Sequence, residues 1–206
     1  MNSTLENNKR TAEIFMVIAE LYKPPTREFW NELKDENLLK TIRKGYADIF
    51  KREASSLLES EPSSFEQICS MYAKTISDGE AKAALPVESL YKPWTQDETC
   101  TLPFSKSEGY LQGDSALHIR YLIEIFQIEI PLEYAGMPDH LSILLELLAY
   151  FIEHAQDDFT AQFLADHFDW LEEYEKKLAE VSNHPFYPCI TKFLIEMLDS
   201  QRSAYK

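Results

Sequence analysis

At 206 residues, with 45% hydrophobic and 27% charged side chains, the chain has a globular composition and enough length for one sizeable hydrophobic core or two small ones. A net charge of -15 at pH 7 excludes nucleic acid and anionic membrane surfaces as primary partners, since both reward Lys and Arg, and suits a basic partner. Five glycines are too few for a fold of many tight hairpins, and the three cysteines, Cys69, Cys100 and Cys189, form no CxxC pair and read as reduced cytosolic thiols.

The elements are helical throughout. Leu5 to Lys23 carries Ile14, Phe15, Ile18, Leu21 and Tyr22 at helical spacing and ends at Pro24-Pro25. Its polar start, Met1 to Arg10, does not read as a signal peptide. A short helix is predicted from Thr26 and a longer one over Leu38 to Leu58. Pro62 is predicted to open a fourth, with Phe65, Ile68, Cys69 and Tyr72 on one face. From Ser77 to Gly113 the texture changes to Pro86, Pro93 and Pro103 with no long period, which predicts a hinge or functional loop. Helical signal resumes at Asp114, read as an N-cap, and breaks at Pro131 and Gly136. Helices over Pro138 to Gln156, Asp158 to Glu180 and Tyr187 to Gln201 complete the chain, with a turn over Asn183 to Pro188. The fold class is all-α: a single-domain helical bundle over residues 1–206 with a long Pro-containing hinge loop at about 77–113. The apolar run Ile143 to Ile152 is interrupted by Glu146, so no membrane span is predicted.

The helix predicted from Pro138 has a wide apolar arc carrying His140, Leu144, Leu147, Phe151 and His154, and a narrow stripe with Ser142, Glu146 and Glu153. It therefore reads as central. His154 reads as a satisfied core histidine. His140 stands beside Asp139 at the helix mouth, where donor and acceptor could meet a ligand. The five histidines, at 118, 140, 154, 167 and 184, include no i, i+4 pair, and phosphate loops and serine elbows are absent, so no motif marks an enzyme, metal or cofactor site. The acidity is regional: Tyr121 to Glu175 holds thirteen Asp and Glu and no Lys or Arg. Against the aromatic loop bearing Tyr91 and Trp94, this half would suit a peptide of arginines and apolar residues.

Five blocks occur in order: Leu85-Pro86-Val87-Glu88-Ser89-Leu90-Tyr91, Gly113-Asp114-Ser115, Met137-Pro138-Asp139-His140-Leu141, Phe163-Leu164-Ala165-Asp166-His167-Phe168-Asp169-Trp170, and Asn183-His184-Pro185-Phe186-Tyr187. Together they resemble the TorD/DmsD family of redox-enzyme maturation chaperones, to which NarJ is related. Leu85 stands where that family often has a first proline, and Val87 where an aromatic is common. The resemblance implies an all-helical, cytoplasmic, non-catalytic protein. Its partner would be a molybdenum-cofactor oxidoreductase, held through its twin-arginine leader or its body until cofactor is inserted, with export delayed. It also implies a peptide-binding pocket of Asp139 and His140 with Pro86, Glu88 and Tyr91 from the loop, and Tyr22 before the diproline; Trp94 joins them as a loop aromatic. Two alternatives stay open: a chaperone for a leaderless molybdoenzyme, and a metal-dependent helical hydrolase centred on Asp139, His140 and His154. The oligomeric state stays open between a monomer and a dimer exchanged through the 77–113 loop.

Overall fold

The computed structural model describes residues 2–54, 61–77 and 82–205, with side chains from residue 5. Among these residues the fold is all-α, with nine α-helices and no strand. The helices are α1 (Asn2–Leu21), α2 (Arg27–Asp35), α3 (Leu38–Phe50), α4 (Phe65–Thr75), α5 (Asp114–Phe126), α6 (Leu141–His154), α7 (Asp157–His167), α8 (Leu171–Val181) and α9 (Phe186–Ala204). None of the described helices is long and apolar enough to cross a membrane.

The centre of the fold is α6. Leu141 to Leu145, Leu147 to Ala149, Phe151 and Ile152 are all buried, so this helix presents apolar surface almost all round, as an enclosed helix must. Its most extensive partner is α1, whose Phe15, Ile18, Ala19 and Leu21 are buried. Glu146, the one charge in the apolar run, lies at the edge of the contact and pairs at 2.5 Å with Lys23, just beyond α1. Lys23 also reaches Glu20 at 2.6 Å. The last helices close the other side: Tyr22 places its hydroxyl 2.7 Å from Thr191 Oγ1 of α9, and its ring lies near Tyr174 of α8 and Tyr187 of α9.

Local chemistry sets the helix ends, and several differ from the sequence expectation. Thr26 caps α2 by accepting from the Phe29 amide, as its position before the helix predicts. The fourth helix begins at Phe65 rather than Pro62, because Ser64 caps it by accepting from the Gln67 amide. α3 stops at Phe50, where Lys51 turns left-handed; the rest of its expected span runs into residues outside those described. The helix expected over Asp158 to Glu180 is two, broken at Phe168–Trp170. The apolar spacing of Phe163, Leu164, Leu171 and Tyr174 continues across this break and conceals it. His154 is exposed where α6 leaves the core, against the Tyr150 ring, and is not the core histidine expected.

Of the 77–113 loop, the described part has one short 3-10 turn, Glu88–Leu90, and is otherwise irregular but closely seated. Ala84, Val87, Glu88, Ser89, Thr95 and Ser105 are all buried. Backbone bonds fold it on itself, Trp94 N to Ser107 O and Gly109 N to Leu90 O at 3.0 Å each. Its far end is fastened to α5. The Asp114 amide donates to Trp94 O at 2.8 Å, while the Asp114 carboxylate accepts from Thr95 Oγ1 and the Gln96 amide at 2.9 Å. Asp114 is thus the first helical residue, and the cap position falls to Gly113. Glycine is required there for space: a Cβ at position 113 would stand 2.5 Å from Trp94 O. Gly113→Ala should therefore force loop and helix apart and cost about 1–3 kcal/mol of stability, measured by urea denaturation; an unchanged midpoint would contradict this seating.

Candidate functional site

The start of α6 is built by a crossing of two distant segments. Residues 86–89 run antiparallel past residues 139–141, with an isolated bridge between Val87 and His140. Leu141 N donates to Pro86 O at 2.8 Å and Glu88 N to Asp139 O at 3.1 Å. The Asp139 carboxylate accepts from the Ser89 amide through Oδ2 at 2.7 Å. His140 is the N-cap of α6: its Nδ1 accepts from the Ser142 amide at 3.2 Å and lies 2.8 Å from Ser142 Oγ. This replaces the expected start at Pro138. A helix leaves its first amides without internal partners, and here they are met by a loop carbonyl 55 residues away in sequence and by an imidazole.

Four of the predicted site residues, Pro86, Glu88, Asp139 and His140, meet at this crossing, and all four are buried. They form an interior clasp rather than the lining of an open helix mouth. Tyr22 lies elsewhere, wholly buried just past the end of α1 in a tyrosine cluster with α8 and α9. Tyr91 is half-buried; it stacks on Trp170 at 5.3 Å and meets Tyr174 edge-on at 5.6 Å. Trp94 is half-buried on another side of the loop, edge-on to Phe104. The cluster of Asp139, His140 and His154 does not exist: His140 and His154 stand at opposite ends of α6, about 20 Å apart at 1.5 Å rise per residue. Among the described residues no group of three or more His, Cys, Asp or Glu could hold a metal ion.

The clasp positions groups that the sequence did not single out. Glu88 is fully buried and bonds at 2.8 Å both to Lys92 Nζ through Oε1 and to His167 Nδ1 through Oε2. His167 Nε2 lies 2.8 Å from His118 Nδ1 of α5. Lys92 also meets Asp169 at 2.6 Å and the Asp166 carbonyl at 2.6 Å. A carboxylate only accepts, so Nδ1 of His167 carries a proton; with a neutral imidazole its Nε2 then accepts from His118, whose Nε2 is left as an acceptor. His118, Lys92 and His167 border a recess of about 250 Å3 with Gln96, Asp114 and Asp166. The loop, the Gly-Asp-Ser start of α5 and the Asp166-His167 end of α7 therefore share one recess. A larger groove of about 430 Å3 between α1 and α3 is lined by Arg10, Glu13 and Lys44 and receives none of these motifs.

Burial and charge act on the titrating groups in opposite directions. Burial alone would lower the Lys92 ammonium, but Glu88 and Asp169 more than reverse this and hold it above an ordinary lysine. Burial raises the Asp139 carboxyl, opposed only in part by Ser89. Burial, with His167 beside it, lowers His118. Burial, with Lys23 nearby, lowers His140 to about 3.

The arrangement is that of an all-α protein whose long internal loop is clasped over the start of its central helix, with an acidic recess beside the clasp. The chain belongs to the nitrate reductase delta subunit family, whose model matches residues 24–189. That family comprises chaperones of molybdoenzyme maturation rather than catalysts, in agreement with the resemblance seen in the five motif blocks. No curated protein matches the chain.

His140 gives a pH prediction with a definite sign. Its pKa falls from 6.5 to about 3 on folding, so below pH 6.5 the unfolded chain binds a proton that the folded one refuses. Its contribution is intact above 6.5 and is lost as pH falls towards 3, about 2 kcal/mol by pH 5. His140→Asn keeps a capping acceptor for Ser142 but cannot titrate. Urea denaturation at pH 7 and pH 5 should show a smaller loss of stability for the variant than for the wild type, with His118 and Asp139 contributing equally to both. An identical loss would show that His140 is not held neutral.

Proposed function

We propose that the chain is a cytoplasmic chaperone that binds the twin-arginine leader of a molybdenum-cofactor oxidoreductase together with its apo body. In this role it assists cofactor insertion and delays export until insertion is complete. The observation that carries this reading is the family match over residues 24–189, which supplies the class of client. The leader is favoured as a contact because the recess is bordered by Asp114 and by Asp166, the latter within the stretch from Tyr121 to Glu175 that holds thirteen carboxylates and no Lys or Arg.

The roles of the seven candidate residues divide by exposure. Pro86, Glu88, Asp139 and His140 hold the loop on α6 and act on a peptide through the shape and charge they impose. Tyr22 supports α1 against α8 and α9. Tyr91 and Trp94 keep exposed surface and can touch a peptide directly. Exposed ion pairs contribute about 0–1 kcal/mol each, so arginine pairing supplies register and apolar burial, roughly 25 cal/mol per Å2, supplies most of the affinity.

The test is co-purification of the tagged chain with the catalytic subunit of a nitrate-reductase-type client in three forms: apo, cofactor-loaded, and apo without its leader. The apo form should be retained, the loaded form released, and leader deletion should weaken retention. Equal retention of apo and loaded client would overturn the maturation role. Equal retention with and without the leader would make the client body the contact.

A further inference from the structure

We propose that the outward face of α5 is the seat of the leader: its arginines enter the recess at the helix start and its apolar segment lies along Leu117, Tyr121 and Ile125. The proposal rests on the leader-binding reading above and adds the place and direction of binding.

α5 is apolar on two faces. Ala116, Ile119 and Leu122 point into the core, as an amphipathic helix requires. The opposite face should be polar, yet Leu117, Tyr121 and Ile125 stand 53%, 58% and 53% exposed. Single exposed apolar side chains are ordinary. Three at i, i+4 and i+8 form one stripe about 12 Å long, and such a patch marks a surface that something covers.

The charge beside the stripe selects what covers it. Asp114 and His118, one turn apart on α5, border the recess and flank Leu117, so recess and stripe adjoin on the same helix. Lys92, the one lysine among the described residues that line the recess, is already paired with Glu88 and Asp169, while Asp114 and Asp166 also line it. Asp114 bonds through Oδ2 and Asp166 through Oδ1; among the described residues the second oxygen of each accepts no hydrogen bond. Glu124 is exposed beside the far end of the stripe. The only cation on α5, Arg120, donates to the Ala135 carbonyl at 3.2 Å. A second copy of this chain, at net charge -15, would bring these carboxylates against their own kind. An anionic membrane or nucleic acid would be repelled likewise. A segment with guanidinium groups followed by an apolar turn matches both halves, since guanidinium pairs with a carboxylate through two parallel hydrogen bonds.

The test is calorimetric titration of the full chain with a synthetic peptide carrying two adjacent arginines followed by a leucine-rich segment. The wild type is compared with Leu117→Glu/Tyr121→Glu and with Asp166→Asn, all at exposed positions, with thermal melting to confirm folding. The double variant should bind about ten-fold more weakly or worse. Asp166→Asn should lose several-fold and show a flatter dependence on salt. Should the double variant fail to fold, a photo-crosslinking residue at position 121 must capture the peptide, and absence of capture overturns the proposal. Peptide binding that survives the double variant overturns the placement alone, whereas no binding to the wild type overturns the leader reading and this placement together. Concentration-dependent dimerisation of the wild type that the double variant abolishes would assign the stripe to a second copy and also overturn it.

Discussion

The structure depends on the crossing of residues 86–89 over residues 139–141. Three hydrogen bonds, one of them to a buried carboxylate, join segments that are about fifty residues apart in sequence. Without Pro86 O, the first amide of α6 would be buried and unmet. Without Asp139, the Ser89 amide would be, each at a cost of about 1–3 kcal/mol. The crossing also fixes Glu88, and through Glu88 the positions of Lys92, His167 and His118. Loop, central helix and recess are thus set by one local arrangement.

This explains which parts of the molecule could be read from the sequence. The helices of the core follow from apolar periodicity, because helix packing rewards that spacing directly. The diproline stop after Tyr22 and the Thr26 cap are likewise local signals. The start of α6 is not local. Proline at a first helical position is a sound rule, but the partner at Pro86 moves the start to Leu141 and makes His140 the cap. The break at Phe168–Trp170 was hidden because the apolar spacing runs through it. The motif blocks contain the residues that meet at the crossing, but they did not reveal that Asp139, His140 and Glu88 face inward. Nor could they show that His118 and His167, forty-nine residues apart, touch.

The acidity has a local arrangement in this geometry. Much of the charge between Tyr121 and Glu175 is solvated on helix faces, where it contributes solubility and little else. Around the recess it is organised: Lys92 is held by two carboxylates, while Asp114 and Asp166 each have one oxygen that accepts no hydrogen bond among the described residues. A chaperone for a molybdoenzyme must hold its client and then release it. On the leader-binding proposal, a shallow recess with weak exposed pairs beside an apolar stripe suits reversible holding better than a deep enclosed cleft would.

The account stands on the clasp being a fixed part of the fold. Amide hydrogen exchange in the protein without client tests this directly. Amides of Glu88, Ser89 and Leu141 should exchange as slowly as those in the middle of α6, and Asp139→Ala, which removes the carboxylate acceptor of Ser89, should release the Ser89 amide by orders of magnitude while the middle of α1 stays protected. Exchange of Glu88 and Ser89 in the wild type at the rate of an exposed loop would contradict the account, because the recess would then have no fixed floor.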